Sequence, residues 1–338
     1  MPVRTPIEPE IFMKNIVVCC DGTGNEFGAN NTNVVAAYAL AEESGRQCRY
    51  YDPGIGTGGW VYEEERGTLH AAMDQATGYG LRRNVEEAYR FLMRVYEDGD
   101  RVFLFGFSRG AFTVRSLAGM LHRCGLLCPT AGNLVEYASK LYHREDTGSG
   151  DAAVEAGFRA TFARPCPVYF IGVWDTVESL ILNAGRTWHD TRPTPDTSFA
   201  FHAVAIDERR RDFPPCLWDE ASRADGQVLE QVWFAGVHSD VGGWYDERGL
   251  SNLALQWMLD RARTCGMYLD EDALADPRHR GDPRGTMHES CSGFWRFRGR
   301  RRRVIPEGAR VHRSVIERMS DPDARYAPKL PERYVIAD

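Results

Sequence analysis

The segment Gly106-Phe107-Ser108-Arg109-Gly110 constrains this chain more than any other. It lies between an apolar run, Arg101-Val-Phe-Leu-Phe105, and a helical pattern from Arg109 to Leu121. A G-x-S-x-G stretch between a strand and a helix reads as a nucleophile elbow. The tight turn crowds the backbone around the serine, so the flanking positions take glycine. The serine Oγ then projects above the sheet at the positive end of the following helix.

The rest of the chain supplies a scaffold for such a turn. Asn15 to Cys20 reads as a buried strand ending at the turn Asp21-Gly22-Thr23-Gly24-Asn25, and 33–43 reads as a helix. A short strand at 47–51 leads into a Gly-rich loop at 52–59. From 80 to 97, Leu81, Val85, Ala88, Tyr89, Leu92 and Tyr96 mark one apolar helix face. Further strands are expected at 167–174 and 229–237, and helices at 132–143, 151–163, 199–210 and 252–264, with a polar loop at 183–198. Strands that are apolar throughout, alternating with helices, predict an α/β fold: a mostly parallel sheet of the α/β-hydrolase kind, covered on both faces. The expected organisation is a catalytic domain over 14–265 and a C-terminal extension over 266–338 packed on it. Within the domain, 124–166 is a candidate helical cap. Its Leu126, Leu127, Leu134, Tyr137, Leu141, Tyr142, Phe158 and Phe162 are more apolar than a connection requires.

A nucleophilic serine needs a base and a carboxylate to orient it. In α/β-hydrolases these follow in the order Ser, Asp or Glu, then His, on loops at strand ends. Asp175 directly follows the strand 168–174, and His238 directly follows 231–237. With Ser108 as nucleophile they make the expected triad. Rival residues are His122, His202 and His312 for the base, and Asp21 and Asp240 for the acid. Asp240 sits in a Gly-rich turn, where an Asx side chain commonly bonds its own backbone. An oxyanion hole takes one amide from the residue after the nucleophile, Arg109, and a second from a neighbouring Gly-rich loop. Gly22 or Thr23 fits, with Asp21 supporting that turn.

Other chemistries are disfavoured. The net charge of −7 argues against a dedicated nucleic-acid binder. No apolar run near the start approaches the roughly 18 residues of a membrane span or forms a signal peptide, so the chain reads as made in the cytoplasm. Nine cysteines show no paired zinc-ligand spacing and read as small buried hydrophobes in a reducing compartment. No Walker or dinucleotide glycine pattern stands in context. The Asp21-Gly-Thr23 turn has Cys19 where an aspartyl-phosphate phosphatase needs aspartate. No metal or organic cofactor is implied.

Six motifs occur in order: Val17-Val-Cys-Cys-Asp-Gly-Thr23, Tyr51-Asp-Pro-Gly-Ile-Gly-Thr-Gly58, Leu104-Phe-Gly-Phe-Ser-Arg-Gly-Ala111, Gly172-Val-Trp-Asp-Thr-Val177, Ile206-Asp-Glu-Arg-Arg210 and Val232-Trp-Phe-Ala-Gly-Val-His-Ser-Asp-Val-Gly-Gly243. With them the chain resembles the α/β-hydrolase domain of the type VI secretion phospholipase effectors, from about residue 14 to 265. The resemblance implies a serine lipase or esterase with Ser108 as nucleophile, Asp175 as acid and His238 as base. It also leaves export by a signal-peptide-independent secretion system open. Glu178 and Trp244 stand where that family usually has glycine.

The expected function is therefore hydrolysis of a small-molecule or lipid ester. A binding module on a hydrolase scaffold is the alternative from another class. One further feature stands apart. Residues 296–303 read Arg-Phe-Arg-Gly-Arg-Arg-Arg-Arg, which suits either peripheral contact with an anionic membrane or pairing with the protein's own carboxylates.

Overall fold

The computed structural model describes residues 13–22, 28, 30–54, 69–144, 149–177 and 193–338. An eight-stranded sheet forms its centre. Its strands are β1 (Asn15–Cys20), β2 (Gln47–Asp52), β3 (Arg101–Phe107), β6 (Val168–Trp174), β7 (Phe199–Ala205), β8 (Val228–Phe234), β9 (Arg310–His312) and β10 (Val335–Ala337). They lie in the order β10-β9-β8-β7-β6-β3-β1-β2, and every neighbouring pair is parallel. The remaining strands, β4 (Leu126–Leu127) and β5 (Ala163–Arg164), make a small antiparallel pair beside it. The fold is of the α/β-hydrolase-like class.

Alternation along the strands sorts two cores. Ile16, Val18, Cys20, Val102 and Leu104 face α2 (Leu69–Val95) and α3 (Arg109–Cys124). Val17, Cys19, Phe103, Phe105 and Phe107 face α1 (Asn33–Leu40) and α7 (Gly249–Thr264). Cys19 and Cys20 thus enter opposite cores, as successive strand residues must. Six of the nine cysteines are buried and all are free thiols.

The segment 199–210, expected as a helix, is instead strand β7 through Ala205, hydrogen-bonded between β6 and β8. A central parallel strand is covered on both faces, so Phe199-Ala-Phe-His-Ala-Val-Ala205 shows no polar alternation, and its alanines mimic a helix. The chain beyond residue 265 adds β9 and β10 to the same sheet. With Val204 and Trp233, Val311 and Val315 form a third apolar cluster there.

Segment 124–166 contains α4 (Val135–Tyr142) and α5 (Ser149–Phe162). Leu126, Leu127, Leu141, Tyr142 and Phe158 are buried in the core with α2 and α3, so the candidate cap packs as ordinary core. It is tied to the end of α3 remote from Ser108. Tyr142 lies against Gly119, and Arg123 pairs with Glu155. Of the residues expected on an apolar inner face, Tyr137 and Phe162 point to solvent. Leu141→Asp should therefore unfold the protein, because an unpaired carboxylate at a 2% exposed position costs about 4 kcal/mol or more. Loss of the cooperative thermal transition at neutral pH is the readout.

Candidate active site

The carboxyl ends of the eight parallel strands open on one edge of the central sheet. Asp21 follows β1, Ser108 follows β3 and Asp175 follows β6. His238 begins the short helix α6 (His238–Gly242), four residues after β8. This is the carboxyl edge, where open parallel sheets place their sites.

The elbow has the strain its sequence implies. Ser108 holds φ 56° and ψ −119°, and its amide donates to the Trp174 carbonyl at 3.1 Å. A left-handed non-glycine residue costs about 1–3 kcal/mol and persists only where its surroundings enforce it. Two glycines enforce it here. A Cβ on Gly106 would lie 2.4 Å from the Gly110 carbonyl oxygen, and one on Gly110 would lie 2.0 Å from that of Cys20. The first turn of α3 therefore abuts the end of β1. Ser108 does not cap α3 with its side chain, so the hydroxyl remains uncommitted and the first-turn amides stay open. Among the described residues the hydroxyl has no hydrogen-bond partner, and no bond from it to His238 is formed.

Asp175 and His238 are joined directly. His238 Nδ1 lies 2.6 Å from Asp175 Oδ2, with both side chains buried. A carboxylate only accepts, so Nδ1 carries the proton and Nε2 is left as the basic nitrogen. The imidazole packs on Phe107, the neighbour of Ser108, with ring centroids 4.6 Å apart, and meets Phe213 edge-on at 5.3 Å. His238 is only 5% exposed, because these two rings cover it. Burial pushes its pKa below the ordinary imidazole value, despite the opposing pull of Asp175. Asp175 also holds a left-handed φ, 40°.

Two residues that sequence reasoning missed complete the arrangement. Arg303 is buried and grips Asp175 with both terminal nitrogens, Nη1 to Oδ1 at 2.5 Å and Nη2 to Oδ2 at 3.0 Å. Its other bonds, to the carbonyls of Ala205 and Phe213, fix the guanidinium in place. Burial alone would raise the Asp175 pKa, but the Arg303 charge and the His238 hydrogen bond outweigh it and hold the group well below the usual carboxylate range. Glu208 is the second. It is tied by Arg210 and Ser290, and accepts from the His238 amide at 3.3 Å. The motif 206–210 contained a signal for Glu208. Arg303 lies in the basic run 296–303, for which pairing with the protein's own carboxylates was one reading, with no partner named.

The rivals have other partners. Asp240 binds His288 Nδ1 at 2.6 Å and the Val237 amide at 3.0 Å, not the His238 ring. His202 is buried beneath Thr176, whose amide donates to its Nε2, and burial pushes its pKa down to about 3. His122 pairs with Asp196 at the far end of α3, and His312 accepts from Ser314 as a helix cap. Asp240→Asn should therefore cost ester hydrolysis about tenfold or less, near 1.4 kcal/mol. Steady-state kcat/KM of the two asparagine variants, at 175 and 240, separates the assignments.

The oxyanion expectation needs a correction. The Gly22 amide donates to Asp21 Oδ1 at 2.7 Å, so it is not free for a substrate oxygen. Asp21 is itself held by Thr32 Oγ1 at 2.6 Å and by the Tyr51 hydroxyl at 3.1 Å. Thr23 lies outside the described residues, as does Glu178. Trp244, by contrast, is described and holds φ 108°, a conformation that favours glycine.

A cleft of about 520 Å³ runs alongside, lined by Phe112, one turn beyond Ser108, and by Cys216, whose amide bonds the Thr176 carbonyl. Arg115, Gly119, Ile171 and Trp218 continue it. In the basic run 296–303, Arg298 pairs with Asp212, Arg300 with Glu289 and Arg303 with Asp175.

Comparison with known proteins adds three findings. An uncharacterized protein of Saccharomyces cerevisiae, YEL023C, is 36% identical over 217 residues, which is 59% of this chain and 32% of that protein. The chain thus spans about a third of that relative's length. The crystal structure of an uncharacterized protein from Pseudomonas aeruginosa aligns with a TM-score of 0.44 at 18% identity, over 80% of this chain and 49% of that one. The family described as the type VI secretion system (T6SS) phospholipase effector Tle1-like catalytic domain matches residues 14–261, and the chain belongs to that family.

Proposed function

We propose that this protein is a serine hydrolase that cleaves carboxylic esters, acyl lipids among them, through an acyl-enzyme on Ser108. The carrying observation is the buried 2.6 Å Asp175–His238 pair at the sheet edge where Ser108 sits on its strained elbow. Membership in a phospholipase-effector catalytic family supports the lipid ester as the substrate class.

Ser108 Oγ attacks the acyl carbonyl carbon while His238 Nε2 takes its proton. Asp175 keeps the Nδ1–H tautomer in place and stabilises the imidazolium as it forms. The Arg109 amide, first in α3, faces the developing oxyanion. The imidazolium returns its proton to the leaving alkoxide, which departs as the alcohol. Water then gives a proton to His238 and attacks the acyl carbon, and Ser108 leaves with its proton restored. Phe112 and Trp218 in the adjoining cleft offer an apolar wall to the acyl portion.

Because the base must be neutral, the acid limb of kcat/KM should fall with a midpoint below the ordinary imidazole value of about 6.5. A pH–rate profile on a soluble ester measures it. The function itself is tested by a screen over short-chain esters, long-chain esters and phospholipids. Turnover of at least one class, lost in Ser108→Ala, is expected. Inactivity toward all three contradicts the reading.

A further inference from the structure

The Arg-rich run divides in two. Arg298, Arg300 and Arg303 are spent on carboxylates, whereas Arg296, Arg301 and Arg302 are exposed and have no side-chain partner among the described residues. Arg211, whose backbone N–H donates a hydrogen bond to the Gly299 carbonyl beside the run, is exposed in the same way. Amid these charges stand Phe297, 91% exposed, and Val304, 81% exposed, the most exposed of the large apolar side chains described. A protein of net charge −7 thus gathers uncompensated positive charge and solvated apolar groups on one segment.

That segment borders the site. Trp295 meets Phe213 edge-on at 5.3 Å, and Phe213 meets His238 at the same distance. Arg303, at the other end of the run, grips Asp175. We propose that Arg211, Arg296, Arg301 and Arg302, with Phe297 and Val304, form a docking surface for an anionic lipid bilayer, which brings the carboxyl edge of the sheet against the membrane. Arginines bind the lipid phosphates and carboxylates, and the Phe297 ring enters the boundary between headgroups and acyl chains, as apolar residues beside basic ones do at membrane surfaces. Charge complementarity selects this occupant: a neutral surface satisfies Phe297 but leaves four guanidinium groups without anions.

The proposal uses the hydrolase reading only for what a docked enzyme acts on, and its test needs no turnover. The intact protein is sedimented with vesicles of phosphatidylglycerol and phosphatidylcholine, and separately with phosphatidylcholine alone. Preferential, salt-sensitive partitioning to the anionic vesicles is expected. Each basic residue near such a surface strengthens partitioning by about fivefold, so Arg301→Gln with Arg302→Gln should weaken it by about 25-fold. Phe297→Ser should cost several-fold more, with little salt dependence. These side chains are solvent-exposed, so hydrolysis of a soluble short-chain ester should not change in the variants. Equal partitioning to the two vesicle types, or undiminished binding by the arginine variants, overturns the proposal.

Discussion

Ser108→Ala is expected to lower ester hydrolysis by about 10⁶-fold in kcat, the scale seen when a serine hydrolase loses its nucleophile outright. What remains is catalysis by oxyanion donors and binding, roughly 10³–10⁴ over water. The fold should survive. The Ser108 hydroxyl does not cap α3, and the backbone bonds that hold the elbow, Ser108 amide to Trp174 carbonyl among them, do not involve the side chain. Alanine has the same difficulty at φ 56° as serine, so strain is unchanged. Circular dichroism and the thermal midpoint should match the parent protein while turnover is lost.

Asp175→Asn should cost on the order of 10⁴ in turnover, because an amide facing Nδ1 favours the tautomer that protonates Nε2, the nitrogen needed as base. The loss has a second component here. Arg303 is 3% exposed in its side chain, and asparagine leaves that guanidinium buried without a counter-charge, a destabilisation of about 3–5 kcal/mol. Arg303→Met leaves Asp175 as the uncompensated member of the pair. That charge raises the His238 pKa and moves the acid limb of kcat/KM to higher pH. Combining Asp175→Asn with Arg303→Met removes both charges, so the double variant should be more stable than Asp175→Asn alone and no less active. Such non-additivity marks a residue acting through the acid. Additive losses in turnover, with an unmoved pH profile, would give Arg303 a purely structural part.

The α/β class and the strand–turn–helix about Ser108 were legible because each depends on local pattern: apolar strands, a glycine-flanked turn and an amphipathic helix in sequence. Strand-end position was enough to bring Ser108, Asp175 and His238 to one edge, since a parallel sheet gathers all its carboxyl ends on one side. Where the chain needed information from both faces of the sheet, local pattern misled. Phe199 to Ala205 lacks polar alternation because β6 and β8 flank it and apolar layers cover both its faces. Segment 124–166 is apolar because it closes the core over α2 and α3, which composition cannot distinguish from a cover over an acyl chain. The engagement of the Gly22 amide by Asp21 depends on where one side chain lies within a turn, which a residue pattern does not specify. Arg303 was the least legible of all. It lies 128 residues from Asp175, inside a run whose other members mostly face water, and only tertiary contact separates the buried arginine from its neighbours.

Ser108 as an activated nucleophile is the central requirement of the proposed reaction. The direct measurement is labelling of the intact protein by a serine-directed fluorophosphonate, followed by peptide mapping of the adduct. A single adduct on Ser108, formed at neutral pH and strongly slowed in His238→Ala, is the predicted result. An unlabelled Ser108 in protein that hydrolyses esters, or an adduct on a different serine, would contradict it.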